Sequence, residues 1–237
     1  MALPKLNEVP KYELTIPSMG QTVRFRPFLM KEEKVLLMAM ESEDQKEIFN
    51  TITDTLSACI IDEVDVNKFT TFDVEYCFLK VRSKSVGEKT TLSFECEKCD
   101  TENEVTIDID DIEMEVPKLN PLIQITDEIS VELTWPSFNN ITKNDSIINS
   151  EKTVDQVFAL VRSCIVSINT EEERFSAKDH TEEELDEFIE SLSSEQFAKI
   201  REYVEQMPRL KHDVHFECIH CSHKNKLTVE GLQSFFS

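Results

Sequence analysis

Two short stretches limit what this chain can fold into more than any other feature. "FECEKCDTENEVTI", Phe94 to Ile107, carries a C-x-x-C pair between strand-like flanks, and "FECIHCSHKNKLTV", Phe216 to Val229, repeats it. Aligned without a gap, the copies share F-E-C-x-x-C, then Asn103 with Asn225, then Val-Thr-Ile with Leu-Thr-Val, every position displaced by 122 residues. One C-x-x-C hairpin presents two thiolates on one side of a tight loop, where backbone N–H groups can stabilise their charge. A closed thiolate site takes four ligands, so each hairpin supplies half of one. The expectation is that Cys96, Cys99, Cys218 and Cys221 hold one structural zinc ion per chain, as a zinc ribbon split across the sequence.

The remaining cysteines fit that account. The total of 7 is odd, which suits a complete disulfide framework poorly. Cys59, Cys77 and Cys164 stand in apolar stretches such as "LSACII" and "VRSCIV" and read as small buried hydrophobes. Reduced thiols with a metal imply a reducing compartment. The start "MALPKLNEVPKYEL" has no signal-like apolar stretch and no run of 18 apolar residues follows, so synthesis without membrane insertion is expected.

Charge narrows the partners. Asp and Glu number 47 against 25 Lys and Arg, a net charge of −22 within a 237-residue chain that is 40% hydrophobic. Such a field repels phosphate backbones except through a local basic patch, so protein is the expected partner and nucleic acid a poor one. Arg24, Arg26, Lys31 and Lys34 form a small basic cluster suited to an acidic partner protein, or to ordinary solvated surface. "ECEKCDTENE" is itself acidic, against a ribbon that grips nucleic acid; the milder "CIHCSHKNK" keeps a nucleic-acid or polymerase adaptor as the alternative.

Patterning points to an α+β fold. "YELTIPSMGQTVRFRPF" alternates about Ser18–Gln21 as a hairpin ended by Pro27. Helical spacing runs from Lys31 to about Ile61, divided by "ESEDQ", with another helix from Phe72 to about Ser83 before the first knuckle. In the second half "VELTWPS" echoes "YELTIPS", a helix is expected over Val154–Ile168, and "TEEELDEFIESL" and "SSEQFAKIREYVEQM" read as helices capped by Thr181 and Ser193 or Ser194 and closed by Pro208. That echo is displaced by 119 residues, and "RSCIV" echoes "SACII" with its cysteine displaced by 105, rather than 122, a drift that loop insertions would produce in a duplicated sequence. The expected organisation is two related halves, 1–118 and 119–237, each with helices and one knuckle, joined near "EVPKLNPL" and clasped by the metal.

Catalytic readings find little support. Four thiolates leave no open position for water. His212, His215, His220 and His223 surround the second pair and could replace a cysteine by spacing alone, but the first pair offers only thiols. No H-E-x-x-H, G-x-S-x-G or phosphate-loop pattern occurs. The runs "NTEEERF" and "HTEEELDEF" lack the alternating ligands and central glycine of a calcium loop and read as hairpin tips and helix starts.

"FRPFLMKEEKVLLMAMES", Phe25 to Ser42, the two knuckles and the terminal "VEGLQSFF" together resemble the baseplate protein family of T-even-like contractile-tailed phages. The resemblance spans most of the chain. It implies a non-enzymatic baseplate hub subunit or hub-assembly factor, made in the host cytoplasm and, if a subunit, retained in the virion tail baseplate. Partners implied are other tail or hub proteins, the tape-measure protein among them. An assembly factor would hold aggregation-prone clients, and the apolar face of Phe188, Ile189 and Leu192 is a candidate surface for that.

Overall fold

The computed structural model describes residues 9–42, 44–143 and 153–231; the terminal "LQSFF" lies outside the described residues. Helices and small antiparallel sheets alternate along the chain, the expected α+β class. Two compact units emerge. The first comprises residues 1–66, 72–115 and 209–237, the second 67–71 and 116–208. The main boundary therefore falls within the "EVPKLNPL" linker, and the closing hairpin belongs to the unit that holds the first knuckle.

The first unit opens with β1 (Tyr12–Thr15) and β2 (Thr22–Phe25), paired in register about a turn in which Gly20 takes φ 62°. That left-handed conformation is cheap only for glycine. Helix α1 (Met30–Glu41) starts after Pro27; the Glu32 carboxylate accepts the Leu29 backbone N–H at 2.8 Å, satisfying one orphan donor of the first turn. Helix α2 (Gln45–Cys59) is capped by Asp44, whose carboxylate accepts the N–H groups of Lys46 and Glu47. "ESEDQ" divides the two helices as the composition suggests. The chain leaving α2 then runs beside β2, with Arg26 N–H bonded to the Cys59 carbonyl and Ile61 N–H to that of Arg24.

Helix α3 (Thr71–Val86) is buried at Phe72, Val74, Cys77, Phe78, Leu79 and Val81. Its Asp73 is fully buried and accepts both the backbone N–H and the hydroxyl of Ser18, at 2.8 and 2.5 Å, which ties the first turn to this helix. Two hairpins complete the unit: β3 (Lys89–Glu95) with β4 (Glu102–Asp108), and, from the end of the chain, β9 (Lys211–Glu217) with β10 (Lys224–Glu230).

In the second unit, β5 (Leu122–Gln124), β6 (Ser130–Leu133), β7 (Ile165–Asn169) and β8 (Arg174–Ser176) form an antiparallel sheet in sequence order. With it go the short α4 (Phe138–Lys143), α5 (Thr153–Cys164), α6 (Glu182–Glu190) and α7 (Ser194–Glu205). The core gathers Val131, Leu133, Val161, Cys164, Ile189 and Ile200.

Two expectations are corrected here. The helix expected over Val154–Ile168 ends at Cys164, and Ile165 begins a strand. "IVSI" is β-branched at three of four positions, and its alternate residues fill the sheet's buried face, which outweighs continuation of the helix. The client face expected on α6 is also spent internally. Ile189 is buried, and Phe188 and Leu192 pack against the same core.

Candidate metal centre

The two knuckle hairpins match residue for residue. β3 and β9 begin 122 residues apart, as do β4 and β10, and their registers correspond pair by pair: Lys89 opposite Asp108 in one, Lys211 opposite Glu230 in the other. At each tip the first cysteine closes the loop twice. Cys96 N–H bonds to the Thr101 carbonyl and Asp100 N–H to that of Cys96; Cys218 N–H bonds to the His223 carbonyl and Ser222 N–H to that of Cys218. Both turns need one residue in the left-handed region, filled by Asp100 at φ 54° and Ser222 at φ 53°. A short polar side chain lowers that cost for Asp, less so for Ser. Phe94 and Phe216 stack at 6.0 Å and bind the hairpins to each other below the tips.

The fold brings all four predicted cysteines together. Their sulfurs lie within 4.8 Å of one another. Cys99 Sγ stands 3.4 Å from Cys221 Sγ and 3.6 Å from Cys218 Sγ, and Cys96 Sγ 3.7 Å from Cys221 Sγ. All four are free thiols, far from the roughly 2.05 Å of a disulfide. A tetrahedron with metal–sulfur bonds of about 2.3 Å has edges near 3.8 Å, so the sulfurs are already spaced as ligands of one ion.

The surroundings pull the thiols in opposite directions. The Cys221 N–H is the main influence on Cys218, outweighing burial; with the His220 N–H, 3.4 Å from the sulfur, it brings the thiol down to about 6. Burial pushes Cys96 upward, but N–H groups of Lys98 and Cys99 and the side-chain amide of Asn225 overcome it and hold the thiol below its usual range. Cys221 is pushed the other way, up to about 12: the His223 N–H favours its thiolate, yet burial and the three neighbouring sulfurs prevail. Four thiolates packed this closely repel one another, and a bound cation is what relieves that repulsion.

Two asparagines link the halves of the site. Asn225, on the second hairpin, accepts the Glu97 N–H of the first knuckle at 3.0 Å and points its amide nitrogen at Cys96 Sγ, 3.7 Å away. Asn103, on the first hairpin, accepts the Ile219 N–H of the second knuckle at 2.9 Å. The same amides return to their own loops, at the Thr101 and His223 carbonyls. Both residues are 3% exposed, and the amide oxygen and nitrogen of each are hydrogen-bonded. Each hairpin thus holds the other's loop in shape. The matched asparagines are visible in the aligned sequence, but nothing in one sequence says they cross between the copies.

The four histidines stay outside the thiol cluster, which is composed of cysteines alone among the described residues. His215 and His220 are exposed. Cys59, Cys77 and Cys164 are completely buried, and burial drives their thiols up, to about 11 for Cys59 and about 12 for Cys164. They are inert core residues. The early basic cluster is largely committed internally, Arg24 to Asp62 and Arg26 to Glu32. Among the described residues no helix is long and apolar enough to cross a membrane.

Neither a curated protein nor a solved structure matches this chain. A family model does, that of the T4 bacteriophage base plate protein, over residues 9–237. That span takes in both units and both knuckles, so the chain belongs to the T4 bacteriophage base plate protein family.

Proposed function

We infer that the protein serves, without catalysing a reaction, in assembly of the baseplate hub, as an assembly factor or a hub subunit, and that a structural zinc ion at Cys96, Cys99, Cys218 and Cys221 clasps its two hairpins. Membership of the base plate family carries the first part and implies other baseplate proteins as partners. The sulfur spacing carries the second.

An all-thiolate donor set with backbone N–H support suits zinc and supplies charge neutralisation and cross-linking rather than an open position for a reacting water. Structural zinc in small peptides contributes on the order of 10–16 kcal/mol of apparent binding energy near neutrality, against about 5–15 kcal/mol for a whole domain. A clasp between segments so distant in sequence therefore decides whether the end of the chain returns to the first unit. The repeated hairpins also support reading 1–118 and 119–237 as related halves. A net charge of −22 opposes tight packing of many identical copies around an axis, which favours a transient assembly factor, with hub or tape-measure chains as clients.

Mass spectrometry of purified virions, paired with capture of the tagged chain from infected cells, tests the role. An assembly factor is recovered with hub proteins and is missing from the particle. Fixed stoichiometry in the virion makes it a subunit, and recovery without any baseplate protein overturns both forms of the reading.

A further inference from the structure

Helix α1 is built inside out. Its inward positions are held by Ala39, 2% exposed, and by Glu32, 8% exposed, whose charge is met by Arg26. Exposed on the helix stand Met30 at 74%, Val35 at 52%, Leu37 at 55%, Met38 at 57% and Met40 at 52%. A helix on a folded protein ordinarily buries its apolar stripe and shows its charges to water. Here, at 100° per residue, Met30, Lys34, Leu37, Met38 and Glu41 share one solvent-facing stripe about 100° wide, with Val35 and Met40 exposed beyond its two edges. A helix face that exposes large apolar side chains in this way is the kind of surface at which proteins bind.

The order of charges on the stripe indicates which protein. Lys34 and Glu41 are both exposed, and neither engages in an ion pair among the described residues. They flank Leu37 and Met38 symmetrically, one turn to either side. We propose that α1 is the seat of a two-fold association with a second copy of this chain, the helices antiparallel and crossing at Leu37–Met38. In that arrangement Lys34 meets Glu41 of the second copy, and Glu41 meets its Lys34, so the surface is complementary to itself, as a two-fold interface requires. A partner of unrelated sequence has no cause to match a charge order that is its own reverse. The two methionines suit such a seam, since their flexible side chains adapt to one another. Repulsion between two chains of −22 is largely screened beyond about 8 Å at physiological ionic strength. One helix face is smaller than a standard interface, so the association is weak, with a Kd on the order of 10–100 μM. This surface owes nothing to the thiol cluster and extends the functional reading without depending on it.

Sedimentation of the full chain over a concentration series at physiological salt tests it, with circular dichroism confirming that each variant is folded. The native chain is expected to show a monomer–dimer equilibrium. Lys34→Glu and Glu41→Lys each set like charges against each other at both pairs and weaken it by about tenfold, the two together restore it, and Leu37→Asp abolishes it. A native chain that is monomeric at every concentration overturns the proposal, as does a dimer indifferent to the charge reversals. So does a monomer that binds a different baseplate protein when native and fails to bind it as Leu37→Asp, which would assign the face to that protein.

Discussion

At the scale of single residues, buried polar groups set the terms. Asn103 and Asn225 are the clearest case: each, itself buried, accepts an N–H from the other hairpin's knuckle, at 2.9 and 3.0 Å. Replacing either by Ala takes the acceptor from that N–H and loosens the loop that aims two sulfurs. We expect metal affinity to fall about 10- to 100-fold for Asn225→Ala, measured by competition with a chromophoric chelator, with Cys96 still present as ligand. Glu32 is the second case. Burial works against its charge, and hydrogen bonds from Arg26, the Leu29 N–H and Lys31 overcome that and bring it down to about 2. Because its folded value lies below the ordinary 4.5, its contribution is complete above that pH and is lost as pH falls toward 2. Glu32→Ala should lower stability by about 2 kcal/mol at neutral pH in urea denaturation. The difference from the native chain should shrink as the solution is acidified through that window.

At the scale of elements, local rules account for what the sequence discloses and for where it misleads. Thr181 and Ser193 begin α6 and α7 with reciprocal capping boxes, each hydroxyl accepting the N–H three residues on while Glu184 and Gln196 reach back. Those starts are written in consecutive residues and are legible there. Thr181→Ala should cost about 1 kcal/mol in thermal or urea unfolding, with the fold retained. The hairpins are legible too, because alternation, the C-x-x-C spacing and the 122-residue repeat all agree. The junction at Cys164–Ile165 is not. Helical periodicity in α5 continues into β-branched residues, and only pairing with β6 and β8 decides that the helix has ended. The exposed apolar face of α1 is hidden for the opposite reason. Its apolar residues show only helical spacing in the sequence, but the interior side of the helix holds Ala39 and a paired Glu32, and Met30, Val35, Leu37, Met38 and Met40 stand exposed. Conversely, Phe188, Ile189 and Leu192 read as available in the sequence and are occupied by their own core.

At the scale of the whole molecule, the sequence order and the spatial order differ. Residues 209–237 close the chain yet belong with 72–115, so the second knuckle reaches the first across the intervening residues of the other unit. The cysteine motifs foretell that meeting, because half a thiolate site at each end has no use unless the ends meet. The partition itself is not legible, since no local pattern tells a terminal hairpin which unit it joins. Everything central rests on one ion uniting four sulfurs. Elemental mass spectrometry of the natively purified chain, beside Cys218→Ser, tests this most directly. One zinc per native chain, and a fall toward none in the variant, is the predicted result; native protein without metal, or equal zinc in both proteins, would contradict it.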